Sequence, residues 1–401
     1  MKPEKIYYFD NNATTRVAPE VVEAMLPFLT ECWGNPSSAY EFGHRVAKPL
    51  EQARIQVAGL INADPREIVF TSCGTESDNA ALQSAFRLLP EKRHLVTTAV
   101  EHSAVLNYCK FLQNNGCEIT YLPVEPDGTL DLHQLERAIR PDTALVSVMW
   151  ANNETGVVFP IEEISAICRS RDVLFHTDAV QAAGKIVLDV RETGVDLLSL
   201  SGHKLYAPKG VGVLYARRGV QFHPYLIGGH QERGRRAGTE NVAGCIAFGR
   251  AAELAAERFE DQNTRIRELR DRLENGVLSG IPGTTRNGAR DARLPNTTNL
   301  GFDGVEAEAV LMMLDRIGVC VSSGSACATG SLEPSHVLTA MGVRPSQARG
   351  AVRFSLGGYN TREEVDFLLE KLPPIIERLR GSLPSRVEPV LVPGAEIVHG
   401  V

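Results

Sequence analysis

Between residues 67 and 200 the chain alternates short apolar runs with stretches of helical spacing. Glu67–Thr71, His94–Thr98, Glu118–Leu122, Ala144–Val148, Val173–Thr177 and Asp196–Leu200 are rich in β-branched or aliphatic residues and predict strands. Between most of them lie roughly 10 to 15 residues with one apolar stripe, as in Asp131–Ile139 and Ile161–Arg169, the spacing of crossover helices. Such alternation implies βαβ units on a mainly parallel sheet, so the fold class is α/β.

The pattern changes further on. Ile246–Leu278, rich in Ala, Glu and Arg, predicts one helix or two that link two units. Beyond it Thr298–Phe302, Val319–Val321 and Ala351–Ser355 read as strands, and Glu306–Arg316 as a helix. Helical spacing returns over Arg362–Leu379, where Pro373 and Pro374 are expected to kink or split the helix. At 401 residues the chain exceeds one typical domain. The expected division is a large α/β domain over 16–260 and a smaller α+β domain from 1–15 with 261–383. A loosely ordered tail over 384–401, rich in Pro and Gly, completes it.

Composition narrows the partners. A hydrophobic fraction of 43% is ample for a core, and a net charge of -7 gives no overall attraction to nucleic acid or anionic lipid. No apolar run reaches the roughly 18 residues of a membrane span. Met1–Lys5 leads into a strand and not into a secretory h-region, so the expected address is cytoplasmic. The eight cysteines lack the spacing of zinc or thioredoxin-like sites. Cys109 with Cys117, or Cys320 with Cys327, could pair, but a reducing compartment disfavours a structural disulfide.

Candidate chemistry gathers where strands should end, the usual ligand edge of such sheets. Lys204 follows one strand and Asp178 ends another. A lysine amine can form a Schiff base with a cofactor aldehyde, and a buried carboxylate can keep a pyridine nitrogen protonated. The small-residue turn Thr71–Asn79 opens a helix on which a phosphate could sit, with Gly74 in the turn and a hydroxyl from Thr75; equally, Thr75 and Asp78 could form only an N-cap. Ser201 and His203 flank the lysine and suit a phosphorylated cofactor, although His203 also reads as a core histidine. The basic, glycine-rich Gly228–Asn241 reads as a phosphate cradle, a nucleic-acid patch or a solvated loop. The acidic net charge disfavours nucleic acid.

Taken together, Tyr8–Thr15 (YFDNNATT), Gly34–Ser38, Val100–His102, Trp150–Gly156 (WANNETG), His176–Gln181, Ser201–Lys204 and Ser322–Cys327 resemble the fold-type I pyridoxal-phosphate enzymes, and within them the cysteine desulfurases. The likeness spans roughly residues 6 to 380 and leans toward the nitrogen-fixation branch. It implies a mainly parallel seven-stranded sheet, pyridoxal 5'-phosphate as cofactor and L-cysteine as substrate. Lys204 resembles the Schiff-base lysine, Asp178 the partner of the pyridine nitrogen, Gln181 the donor to the ring hydroxyl and His102 the imidazole on the ring face. Gly74, Thr75, Ser201 and His203 match the phosphate site. Thr239 matches a ligand that the family draws from the neighbouring subunit, which implies a homodimer. Asn153 and Arg353 match groups near the cofactor hydroxyl and the substrate carboxylate, where a planar guanidinium suits bidentate binding.

Cys327 separates this family from a generic aminotransferase. Its surroundings, Ser322–Ser331, are small and polar, so a mobile loop is expected. The resemblance implies that its thiolate attacks the substrate sulfur, leaving alanine and a persulfide for an iron–sulfur scaffold. No structural metal is implied; Cys327 would touch an iron–sulfur cluster only in passing. A housekeeping desulfurase, a selenocysteine lyase and a non-catalytic sulfur carrier are the competing readings.

Overall fold

The computed structural model describes residues 5–323 and 334–382. After a two-residue strand β1 (Tyr7–Tyr8), seven strands form one sheet: β2 (Ile68–Thr71), β3 (His94–Thr98), β4 (Glu118–Leu122), β5 (Thr143–Ser147), β6 (Leu174–Asp178), β7 (Leu197–Ser201) and β8 (Gly212–Ala216). Their order is β2-β8-β7-β6-β5-β3-β4. β8 runs antiparallel to both neighbours and every other pair is parallel. Every residue of β2, β3, β5, β7 and β8 is buried. Helices cover both faces, which is why these strands read as continuous apolar runs without alternation.

Six of these strands lie where the apolar runs predicted them, within a residue at each end. β8 was not foreseen. It follows β7 too closely for a crossover helix, and a short return forces antiparallel pairing. That reversal decides the site, because with β8 alone turned round β2 points the same way as β3 to β7. The carboxyl ends of β2, β3, β5, β6 and β7 therefore open on one edge.

The Ala-rich stretch forms two helices, Val242–Glu257 and Phe259–Gly280. They part at Arg258, whose backbone leaves helical geometry (φ -107°, ψ 10°). Beyond them β9 (Thr284–Asn287), β10 (Thr297–Phe302), β11 (Val319–Cys320) and β12 (Ala351–Ser355) build two small sheets. β10 lies between β12 and β9, antiparallel to both, and β11 pairs parallel with β1. A second apolar core lies here, with Phe9, Leu273, Leu300, Phe302, Val310 and Phe354 fully buried.

The last helix, Arg362–Ser382, runs unbroken through Pro373 and Pro374, contrary to the expected split. Two prolines forgo two backbone donors. Here Leu368 and Leu372 before them, and Ile375 and Ile376 after, are buried in the same core, and that packing carries the helix across.

Between the cores runs Phe9–Thr15. The Asn11 N–H donates to the Ser355 carbonyl at 3.0 Å and the Thr15 N–H to the His203 carbonyl at 2.9 Å. The segment is thereby stretched from β12 to the residues just after β7.

Candidate active site

Each strand end delivers one part of the site. After β2 the chain turns through Cys73 into a helix, Gly74–Leu88, whose first turn has no side-chain cap. Neither Thr75 nor Asp78 caps it, so the N-cap alternative falls away and the uncapped end suits an anion. A Cβ on Gly74 would lie 2.9 Å from Val180 Cγ2 and 3.5 Å from Ser201 Cβ, so only glycine allows this close approach. After β3, His102 caps the helix Ser103–Asn114, its Nδ1 accepting from the Ala104 N–H at 3.1 Å. A neutral His102 ring so engaged carries its proton on Nε2.

Asp178 ends β6 and accepts from the Val180 N–H at 2.9 Å. Ser201 ends β7, and His203 and Lys204 follow in a single 3-10 turn. These groups meet in one cavity of about 310 Å³. Gly74, Thr75, His102, Asn153, Asp178, Gln181, Ser201, His203, Lys204 and Arg353 all line it. Thr239 does not; it is exposed and outside the cavity. Cys327 lies outside the described residues.

The lysine amine rests on backbone oxygens. Lys204 Nζ donates to the carbonyls of Asn12 at 2.6 Å and Ala13 at 2.7 Å. Asn12 is itself held from both sides of the molecule: its Nδ2 donates to the Asn153 carbonyl and to Thr297 Oγ1, and its Oδ1 accepts from Asn296. Gln181 Nε2 donates to the same Asn12 carbonyl at 3.0 Å.

Arg353, on β12, is nearly fully buried. Its Nη2 donates to Asp10 Oδ1 at 2.7 Å and its Nη1 to the Asn153 carbonyl at 3.0 Å, while its Nε, also buried, has no hydrogen-bond partner among the described residues. A planar, fixed guanidinium with a donor to spare suits a carboxylate.

The electrostatics favour a cationic ring nitrogen. Burial raises the carboxyl of Asp178 above the usual range, with the His102 and Lys204 charges pulling it back. Asp78 is raised further, by burial and by the like charge of Asp178. Ligand atoms of Asp78, Asp178 and His102 lie within 4.8 Å of one another, and Asp78 Oδ1, 3.6 Å from His176 Nε2, has no hydrogen-bond partner among the described residues. Two carboxyls in so dry a site cannot both ionise unless a positive charge joins them. A protonated pyridine nitrogen supplies that charge, so these residues fit pyridoxal phosphate. Burial and the nearby lysines press His203 down to about 4, leaving it neutral, with Nδ1 3.1 Å from Thr14 Oγ1.

Several participants went unassigned in the sequence. Asn12 and Ala13 act through backbone oxygens, which no side-chain pattern signals. The sequence gives Asp10 no role within its motif and offers Asp78 only as a cap. Lys185 Nζ donates at 3.0 Å to both the backbone and side-chain oxygens of Gln181, and burial beside Lys204 and Arg353 pushes its ammonium down to about 7.

The glycine-rich loop is pinned in part by ion pairs. Arg54 forks onto Glu232 at 2.7 and 2.8 Å, and Arg236 pairs with Glu76 at 2.9 Å, so two of its charged residues are spent on holding it to the helices below. Seven cysteines among the described residues are free thiols, Cys109 and Cys117 included.

The family model for class-V aminotransferases matches residues 7–368. The chain is 57% identical over 379 residues to cysteine desulfurase 2 of Trichormus variabilis, covering 94% of this chain and 95% of that one. It is 52% identical over 390 residues to the cysteine desulfurase NifS of Azotobacter vinelandii, covering 96% and 97%. Among solved structures a NifS-like protein superimposes with a TM-score of 0.88 at 40% identity, over 94% of this chain and all of the other. Fold, cavity and relatives agree: the chain belongs to the class-V aminotransferase family and, within it, to the cysteine desulfurases of the NifS type.

Proposed function

We propose that this protein removes the sulfur of L-cysteine, releases L-alanine and hands the sulfur on for iron–sulfur cluster assembly, nitrogenase clusters among them. The observation that carries this reading is the convergence of Lys204, Asp178, His102 and Arg353 on one cavity in a chain 57% identical to a cysteine desulfurase.

Pyridoxal phosphate, when bound, supplies an aldehyde for amines and a ring that takes up the electron pair left at the substrate Cα. The chain's own residues do the rest. The uncapped helix end at Gly74, with Thr75, Ser201 and His203, would hold the phosphate, and Thr239 of a second copy would add to it. Asp178 would keep a proton on the ring nitrogen, Gln181 would donate to the ring hydroxyl and His102 would stand beside the ring. Arg353 binds the substrate carboxylate, with Asp10 fixing its fork and Asn153 close by. Lys204, as a free amine, would move the Cα proton. Cys327 attacks as the thiolate: a bond forms from its Sγ to the substrate sulfur as the C–S bond breaks, and the carbon fragment leaves as alanine after protonation. The persulfide then passes to an acceptor thiol or scaffold protein.

Homodimer formation, a cytoplasmic address and the division into 16–260 against 1–15 with 261–383 belong to the same reading. No helix among the described residues is long and apolar enough to cross a membrane.

The test is an alanine assay with pyridoxal phosphate and L-cysteine. Wild-type protein is expected to form alanine and a trappable persulfide, Lys204→Ala to do neither, and Cys327→Ser to bind cofactor but form no persulfide. Alanine at the wild-type rate from Cys327→Ser would overturn the nucleophile. Rescue of nitrogenase maturation in a strain lacking its own desulfurase tests the nitrogen-fixation assignment.

A further inference from the structure

Lys185 has no part in the scheme above, yet it is built into it. Its Nζ lies 3.0 Å from two atoms, the backbone oxygen and the Oε1 of Gln181. A carbonyl oxygen only accepts, so the lysine donates to both. At the other end of the same amide, Nε2 donates to the Asn12 carbonyl, which likewise only accepts. A donor on one side and an acceptor on the other leave the Gln181 amide a single satisfied orientation. Gln181 is buried, so a reversed amide would strand both of its ends.

The two restraints differ in permanence. The Asn12 carbonyl also receives Lys204 Nζ at 2.6 Å, and it loses or gains that donor whenever Lys204 turns to the cofactor or back. Lys185 has no such second duty. Lys204 lines both the cofactor cavity and a second cavity of about 130 Å³, and Lys185 lines only the second. Lys185 thus reaches Gln181 from outside the space where substrate and cofactor react.

We propose that Lys185 is a positioning residue that fixes which end of the Gln181 amide faces the cofactor, presenting N–H and not oxygen to the ring hydroxyl. This rests on the pyridoxal-phosphate reading of the cavity. Without Lys185 only the shared Asn12 carbonyl selects the orientation, so the reversed amide, which sets an oxygen against the ring oxygen, is populated more often.

The experiment titrates the visible band of the cofactor-loaded protein and measures cofactor affinity for wild type, Lys185→Met, Lys185→Arg, Gln181→Ala and the double variant Lys185→Met/Gln181→Ala. Methionine keeps the length of the side chain and removes the donor; arginine keeps donors. Loss of a donor to a charged oxygen is expected to raise the pH midpoint of the band by about one unit and to weaken cofactor binding several-fold in Lys185→Met and Gln181→Ala. Lys185→Arg is expected to stay near wild type, and the double variant to match Gln181→Ala alone, because both changes remove one function. A wild-type midpoint and affinity in Lys185→Met, with Gln181→Ala shifted, overturns the proposal, as does a double variant whose shift is the sum of the two singles. A wild-type protein that takes up no pyridoxal phosphate overturns the cofactor reading itself.

Discussion

Arg353 and Glu101 show what burial asks of a single side chain. Arg353 has its two terminal nitrogens on Asp10 and Asn153 and its Nε unpartnered. A lysine there would offer a point charge in place of a fork, so Arg353→Lys is expected to raise KM for cysteine about 10- to 100-fold with a smaller change in kcat, as steady-state kinetics will read. Glu101 accepts from Thr98 Oγ1 at 2.7 Å and the Met149 N–H at 3.0 Å, while its buried Oε2 has no partner among the described residues. Burial lifts its carboxyl from 4.5 to about 8. The folded protein therefore keeps a proton that the unfolded chain has released, and this group's effect is to lower stability as pH rises between those two values. Urea unfolding of the cofactor-free protein near pH 5 and near pH 8 is expected to show less of this loss in Glu101→Gln than in wild type.

At the scale of the element, the loop from Gly228 to Asn241 is held by ion pairs where its composition suggested a free basic surface. Glu232 and Arg233 both have left-handed backbones (φ 48° and 60°), which side-chain-bearing residues adopt only when the surroundings hold them there. The hold is the buried Arg54–Glu232 fork, with Glu232 Oε2 also accepting from the Phe70 N–H at 2.9 Å. Glu232→Ala leaves the buried Arg54 guanidinium with only the half-exposed Glu51 and the Ile68 carbonyl as partners and is expected to destabilise the protein by about 3 kcal/mol. Arg54→Met with Glu232→Leu should recover much of that loss, since it removes both charges; chemical denaturation of the three proteins checks both outcomes.

For the whole molecule, the telling residue is Thr239, exposed and outside the cavity of its own chain. If it completes the phosphate site of a second copy, hybrids of Lys204→Ala and Thr239→Ala subunits contain one site with both defects and one with neither. Mixing two impaired proteins is then expected to restore up to half of the wild-type activity per hybrid. A threonine acting within its own chain would leave every site of the hybrid impaired, and no activity would return.

What the linear chain settles is local. Six strands of the main sheet follow from runs such as Ile68–Phe70 and Leu95–Thr97, because strands buried on both faces are dense in aliphatic and β-branched residues, and that is visible residue by residue. The motifs around Lys204, Asp178, His102 and Arg353 are equally local, since each chemical role needs a particular side chain. Tertiary structure decides what depends on direction and on long-range contact. Nothing in Gly212–Ala216 announces that β8 runs backward, yet that reversal brings the end of β2, with Gly74 and Thr75, to the same edge as Asp178 and Lys204. Pro373 and Pro374 read as a break until the core on both sides of them is seen to hold the helix. Asn12 and Lys185 are ordinary polar residues in the sequence; the carbonyl of one and the amine of the other gain meaning only when folding sets them against Gln181. Residue type dictates what chemistry is possible, and only the packing of distant segments dictates which groups meet in the dark of a buried cavity, where an unpaired charge or amide is too unfavourable to leave to chance.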